Sequence, residues 1–223
     1  MTELLTFPGT DELIELSARF ETAPASKVVR WAWDTFGGGI VLASSFQDAV
    51  LVDVAVAVVP EIEVVFLDTG FHFPETLEYV ELVRRRYDLN LRIVRPEAGP
   101  DFVPCGSEGC CQLRKVEPLA RALEGRQAWI TGLRRADAAT RSEAPIIGLD
   151  PARGLVKVNP LAVWTDADVA GYVADHVLPV HPLSRRGYLS IGCAPTTQPP
   201  VDPDDPRSGR WAGTDKTECG LHL

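Results

Sequence analysis

Near the end of the chain, Cys219 stands in the polar run Lys216-Thr217-Glu218-Cys219-Gly220-Leu221-His222-Leu223, with no apolar periodicity around it. A cysteine kept for packing is normally buried in an apolar stretch. A thiol on a polar tail has access to solvent and partners, which nucleophilic thiol chemistry needs; the plainer alternative is an incidental thiol on a frayed terminus. Cys105, the adjacent pair Cys110-Cys111 and Cys193 bring the total to five cysteines. An odd count with an adjacent pair suits metal or redox chemistry better than a disulfide framework. Adjacent cysteines do not easily bridge each other, but both can ligate one multi-iron cluster.

A second set of residues has the character of an anion site. Ser44-Ser45 follows the apolar run Ile40-Val41-Leu42-Ala43 and precedes the helical stretch Ala49–Ala55. Small hydroxyl residues between a strand and a helix put hydroxyls and free N–H groups at a helix N-terminus. Asp68-Thr69-Gly70 follows the run Glu63–Leu67, and Gly132-Leu133-Arg134-Arg135 follows Ala128–Thr131.

The elements that must position these residues read as a succession of strands and helices. Helices are expected at 11–20, with Thr10 as its cap, at 26–36, and from Pro74 to about Tyr87. Another opens at Cys110, with Leu113, Val116, Leu119 and Leu123 on its buried face. A last one, Val169–His176, is opened by the capping box Thr165-Asp166-Ala167-Asp168. Strands are expected at 40–43, 63–67, 91–94, 128–131 and 155–158. Strands alternating with helices predict an α/β fold, a mainly parallel sheet with helices on both faces. Ligands of such sheets sit beyond the carboxyl ends of the strands, so the three motifs are expected to share one crevice. From Pro182 onward periodicity stops, and an irregular tail rich in Pro, Gly and Asp is expected.

The net charge of −9 argues against broad nucleic-acid or membrane-surface binding and leaves any anion to a local basic cluster. The longest apolar run, Ala49–Val59, is short for a membrane span and broken by Asp53. With no signal-peptide pattern at the N-terminus, the expectation is a cytoplasmic protein, neither nucleic-acid-binding nor membrane-bound.

Taken in order, Ser44-Ser45-Phe46-Gln47-Asp48, Leu67-Asp68-Thr69-Gly70-Phe71-His72-Phe73-Pro74-Glu75-Thr76, Cys110-Cys111, Thr131-Gly132-Leu133-Arg134-Arg135, Arg207-Ser208-Gly209-Arg210-Trp211 and Glu218-Cys219-Gly220-Leu221-His222 resemble the assimilatory sulfonucleotide reductases. The resemblance runs from about residue 40 to the C-terminus. It implies an adenine nucleotide α-hydrolase-like fold, without the Ser-Gly-Gly-x-Asp-Ser loop of the related ATP-using enzymes. Residues 1–181 would form a nucleotide-binding domain with a helical part at 1–36, and 182–223 a segment carrying the catalytic cysteine. The implied reaction reduces adenosine 5′-phosphosulfate (APS) to sulfite, with Cys219 as nucleophile and thioredoxin as electron donor. Substrate binding is then expected from Ser44, Ser45, Asp68, Thr69, Gly70, Lys115, Arg134, Arg135, Arg207 and Arg210. His222 is read as a solvated terminal residue, and His181 as a loop residue. The chain could also form a homo-oligomer.

Family members that use APS usually carry a [4Fe-4S] cluster on the cysteine pair and a later Cys-x-x-Cys. Those using the 3′-phosphorylated substrate (PAPS) generally lack all four thiols. This chain keeps Cys110, Cys111 and Cys193 as expected metal ligands but has Thr196 where the fourth belongs. A neutral hydroxyl is a poor partner for iron that prefers thiolate, so a labile, incomplete or absent cluster is expected. Cys105 is read as a loop residue without a role, its alternative being replacement of the missing ligand. Reduction of PAPS is the alternative substrate reading, and two other classes stay open: a thiol or iron redox protein without turnover, and a nucleotide-activating enzyme that uses ATP.

Overall fold

Short apolar runs bounded by glycine and polar turns become strands, and their order decides where a ligand can sit. The computed structural model describes residues 9–97, 103–202, 205–212, 214 and 216–222. Strands β1 (Ile40–Ala43), β2 (Val64–Leu67), β3 (Leu91–Val94), β4 (Ala128–Thr131), β5 (Ile147–Asp150) and β6 (Leu155–Val158) form one sheet in the order β3-β2-β1-β4-β6-β5. All pairings are parallel except that of β5 with β6. The edge strand β5 adds to the five expected. Its run Ile147-Gly148-Leu149-Asp150 is too short to show a period, and Gly148 is required there because a Cβ would meet Pro145 Cγ at 2.7 Å.

The helices are α1 (Thr10–Phe20), α2 (Ala25–Phe36), α3 (Val50–Val58), α4 (Pro74–Tyr87), α5 (Glu117–Leu123) and α6 (Asp166–Asp175). Thr10 begins α1 without capping it, since Gly9 is the N-cap and no side chain bonds there. Thr165 does cap α6: its hydroxyl accepts the Asp168 N–H at 3.2 Å, while Asp168 accepts the Thr165 N–H at 2.8 Å.

Successive strand residues face opposite sides, and the two sides have different covers. Leu42, Val64, Ile130 and Val158 join α1, α2, α3 and part of α4 in the larger core. Val41, Val65 and Trp129 pack against Leu119, Ala122 and Leu123 of α5, and there Leu221 of the C-terminal segment completes the cover.

The helix opened by Cys110 departs from its expected face. Gln112–Val116 forms a wider π turn, which rotates the residues before it relative to α5. Arg114 goes inside, 1% exposed, whereas Leu113 and Val116 are only half-buried. Beyond Pro182 the regular pieces are the short turns Ser184–Arg186 and Ala194–Thr196. The segment is nonetheless tied down, with isolated bridges joining His72 to Cys193 and Thr197 to Arg210. His181 is buried, its Nδ1 accepting the Leu183 N–H at 3.1 Å and its Nε2 lying 3.2 Å from the Thr76 hydroxyl. Among the described residues no helix is long and apolar enough to cross a membrane.

Candidate active site

The chain runs outward from β1 to β2 and β3, then returns past β1 to β4, so the strand order reverses between β1 and β4. Connections leaving in opposite directions open a crevice at the carboxyl ends of those strands. That crevice is a cavity of about 610 Å³, bordered by Ser44, Ser45, Thr69, Gly132, Leu133 and Arg134. Its volume suits a nucleotide-sized ligand.

The loop after β1 is bent sharply to border it. Phe46 has a φ of 54°, a conformation costly for a bulky residue. The Ser44 hydroxyl accepts the Phe46 N–H at 3.1 Å, and the Phe46 ring sits edge-on against Phe66. Gln47 ties this loop to the C-terminal segment by donating to the Leu189 carbonyl and accepting the Ile191 N–H. Asp48, also at the cavity, accepts the Val50 N–H at 2.9 Å, but burial prevails and pushes its carboxyl above the usual range.

The C-terminal segment forms another wall of the same cavity through Arg207, Arg210, Cys219, Leu221 and His222. Glu218 anchors it. Its side chain is 7% exposed and receives two bonds at 2.8 Å from Arg141 and one at 3.3 Å from Arg207. Burial opposes its ionisation, yet the Arg141 bond and the charges of Arg207 and Arg141 outweigh burial and hold its carboxyl below the usual range. On the other side of Cys219, His222 stacks on Trp129 with planes 5° apart and centroids 5.8 Å apart. His222 is therefore part of the wall, not a solvated terminal residue. Burial, and then the charges of Lys157, Arg141, Arg153 and Arg207, hold it well below the ordinary histidine range, so its imidazole is neutral.

Arg210 is only loosely engaged. Its Nη1 donates to the Ser190 hydroxyl at 3.2 Å, it lies 4.7 Å over the Trp211 ring, and among the described residues no carboxylate pairs with it. The glycine at 192 leaves room for this guanidinium, since a Cβ there would overlap it. Burial first, and then Arg207, pull Arg210 below its usual value, while Cys219, Cys193 and Cys111 act the other way. A partly buried cation in that state gains from an anion placed beside it.

The four other thiols are all free, and Cys193 and Cys111 lie near enough to act on Arg210. Cys193, 5% exposed, lies 3.4 Å from the Thr69 hydroxyl. Cys105 in turn lies 3.8 Å from Thr196 Oγ1. Cys110 is buried, and Cys111 accepts a 3.1 Å bond from Lys216. The neighbouring Cys105 thiol leads in holding the Cys193 thiol below its usual range, against burial and with help from Lys115, and Cys105 is pushed up. No three His, Cys, Asp or Glu side chains among the described residues converge on a single-ion site.

Of the residues expected to bind substrate, Ser44, Ser45, Thr69, Lys115, Arg134, Arg207 and Arg210 border the cavity with Cys219. Asp68, Gly70 and Arg135 do not. Asp68 accepts the Gly70 N–H at 3.0 Å and pairs with Arg95 at 2.9 Å, so these two residues shape the turn behind Thr69. Arg135 faces away, forked onto Glu21 at 2.9 and 2.6 Å and bonded to the Ala144 carbonyl. Arg134 is in the wall but shares its Nη2 between Asp137 and Asp166, at 2.7 and 2.9 Å. Sequence reasoning passed over Arg141, Trp129 and Asp48. Arg141 carries no signal in an irregular loop, and Trp129 reads as an ordinary buried strand residue.

A parallel sheet with its ligand crevice at the switch point, as in the adenine nucleotide α-hydrolase-like proteins, is the class that fold and site define. Residues 39–199 match the family described as phosphoadenosine phosphosulfate reductase domain, and the chain belongs to that family. It is 47% identical to adenosine 5′-phosphosulfate reductase of Mycolicibacterium smegmatis over 100% of both chains. It is 46% identical to the enzyme of that name from Mycobacterium tuberculosis strain H37Rv, over 99% of this chain and 98% of that one. Among solved structures, phosphoadenylyl-sulfate reductase from Candida auris superposes with a TM-score of 0.75 at 27% identity, covering 85% of this chain and 98% of the other. FMN adenylyltransferase of Candida glabrata, at 17% identity and a TM-score of 0.65 over 86% of this chain and 67% of that one, shares the fold.

Proposed function

We propose that the protein reduces adenosine 5′-phosphosulfate to sulfite and AMP, with Cys219 as the nucleophile and thioredoxin as the reductant. The observation that carries this reading is Arg210, a half-buried cation without a carboxylate partner among the described residues, bordering one cavity with Cys219. The names of the relatives support the substrate and the class of reaction.

In the proposed reaction the Cys219 thiolate attacks the sulfate sulfur. An S–S bond forms, the S–O bond to the phosphate breaks, and AMP leaves with the electron pair. AMP is a good leaving group, so the help required is cationic neutralisation of sulfate and phosphate oxygens. Arg210 and Lys115 would serve the sulfate end, and the Ser44–Ser45 turn the phosphate. Arg207 divides its charge between that end and Glu218. A thioredoxin thiolate then attacks Cys219 Sγ, sulfite leaves, and the second thioredoxin thiol resolves the mixed disulfide. Such thiol cycling belongs to a reducing compartment such as the cytoplasm.

The family's [4Fe-4S] cluster would be held by Cys110, Cys111 and Cys193. The donor set fits: a cubane spreads its thiolates over separate irons and so needs no single-ion convergence, and Lys216 and Thr69 supply hydrogen bonds to Cys111 and Cys193. Held there, the cluster would staple the segment before α5 to the Cys193 turn, its binding energy adding to folding energy. Parallel assays of sulfite release from APS and from PAPS, each with reduced thioredoxin, test the proposal. It expects turnover with APS and far less with PAPS. Preference for PAPS would move the substrate, and no sulfite from either would leave a thiol redox protein.

A further inference from the structure

We propose that Cys105 supplies the fourth thiolate of the iron–sulfur site, so that the ligands in this chain are Cys105, Cys110, Cys111 and Cys193. The inference rests on the reading that the site takes such a cluster, not on which sulfonucleotide is reduced.

Three observations place this thiol at the missing position. Its Sγ lies 3.8 Å from Thr196 Oγ1, the side chain that occupies the fourth position. The turn carrying it is built to come that close: Gly106 has a φ of 90°, and a Cβ on it would meet Thr196 Cγ2 at 3.0 Å. The turn then returns directly to the cysteine pair, with the Ser107 hydroxyl bonded to the Pro104 carbonyl at 2.7 Å and the Cys110 N–H to the Ser107 carbonyl at 3.2 Å.

The segment is also pinned to the opposite side of the site. Arg114, buried by the π turn, donates to the Val103 carbonyl at 3.0 Å and to the Thr69 carbonyl at 3.1 Å. Thr69 is the residue whose hydroxyl meets Cys193. One guanidinium therefore links the strand-end turn beside Cys193 to the backbone leading into Cys105. Iron prefers thiolate to a neutral hydroxyl, and between two side chains in contact at one corner the thiol is the ligand. Binding would release the Cys105 proton and involve no electron transfer.

The test is anaerobic reconstitution with iron and sulfide of the wild type, Cys105→Ala, Thr196→Cys and the double variant. Iron and acid-labile sulfide are counted, the cluster is read by visible absorption and electron paramagnetic resonance, and AMP binding reports the fold. The proposal expects a full cubane in the wild type. It expects Cys105→Ala to fall to a three-iron cluster or none, and the double variant, with its thiol moved to the neighbouring position, to recover. Cys105→Ser, closer in shape, is expected to lose iron likewise should Cys105→Ala fail to bind AMP. Wild-type iron content and spectra in both Cys105 variants would overturn the proposal. So would a wild type that takes up no cluster while binding AMP, or one deficient in iron that Thr196→Cys alone makes complete. Failure of APS turnover with the cluster intact would count against the substrate reading alone.

Discussion

Two arginines that are close in sequence have different tasks. Arg207 spends much of its charge on Glu218 and the Thr217 carbonyl, whereas Arg210 has a serine hydroxyl and the face of Trp211. A charge-assisted contact to a buried oxyanion is worth about 1.5–3 kcal/mol, roughly ten- to a hundredfold in an equilibrium. Arg210→Ala is therefore expected to lower kcat/KM for APS by about that factor, while Arg84→Ala, on the exposed side of α4, leaves it unchanged; steady-state kinetics with both variants decides. Sequence alone named both arginines but could not rank them, because the Arg207–Glu218 pair depends on how the tail folds back. Arg135 shows the converse. Its neighbour Arg134 borders the cavity, yet one step along the chain reverses the side chain toward Glu21.

At the scale of the element, the tail is held by a few polar contacts on either side of Cys219. Glu218 lies between Arg141 and Arg207, Lys216 donates to Cys111, and His222 stacks on Trp129. Glu218→Gln keeps the shape and removes the charge, so the tail is expected to be released from the body more often, with faster tryptic cleavage at Lys216 as the readout. A loss of about 1.5–3 kcal/mol from a charged hydrogen bond corresponds to roughly ten- to a hundredfold in the released fraction. The pH dependence follows from the lowered pKa of Glu218. A carboxylate stabilised in the folded state contributes fully above its ordinary value of 4.5, and that contribution is lost as pH falls through the lower folded value. Acid should release the tail of the wild type, with no corresponding transition in Glu218→Gln. None of this docking was legible from residue periodicity, because a tail without repeats is held by particular pairs. The π turn was hidden for a related reason: Leu113, Val116, Leu119 and Leu123 have helical spacing, but burying Arg114 displaces the first two.

At the scale of the molecule, the alternation of apolar runs with helical stretches was enough to read five strands, the parallel sheet and the shared crevice. The edge strand β5 was not readable, since its run is short and the cover it packs under comes from α1, far away in the chain. Ser17 of α1 accepts the N–H groups of Ile146 and Ile147 at 2.9 and 3.3 Å, and α1 lies against this edge. Ser17→Ala would leave two buried donors without that partner, at a cost of about 1–3 kcal/mol. The expected outcome is a lower Tm with unchanged affinity for AMP, since this edge lies beyond β6 from the crevice. Everything else converges on one thiol at the wall of that crevice, and incubation with APS in the absence of any reductant tests it most directly. Peptide mapping by mass spectrometry should find a single added sulfonate on the peptide containing Cys219, with AMP released in equal amount and neither product formed by Cys219→Ser. An adduct on Cys105 instead, or AMP release that persists in Cys219→Ser, would contradict the account.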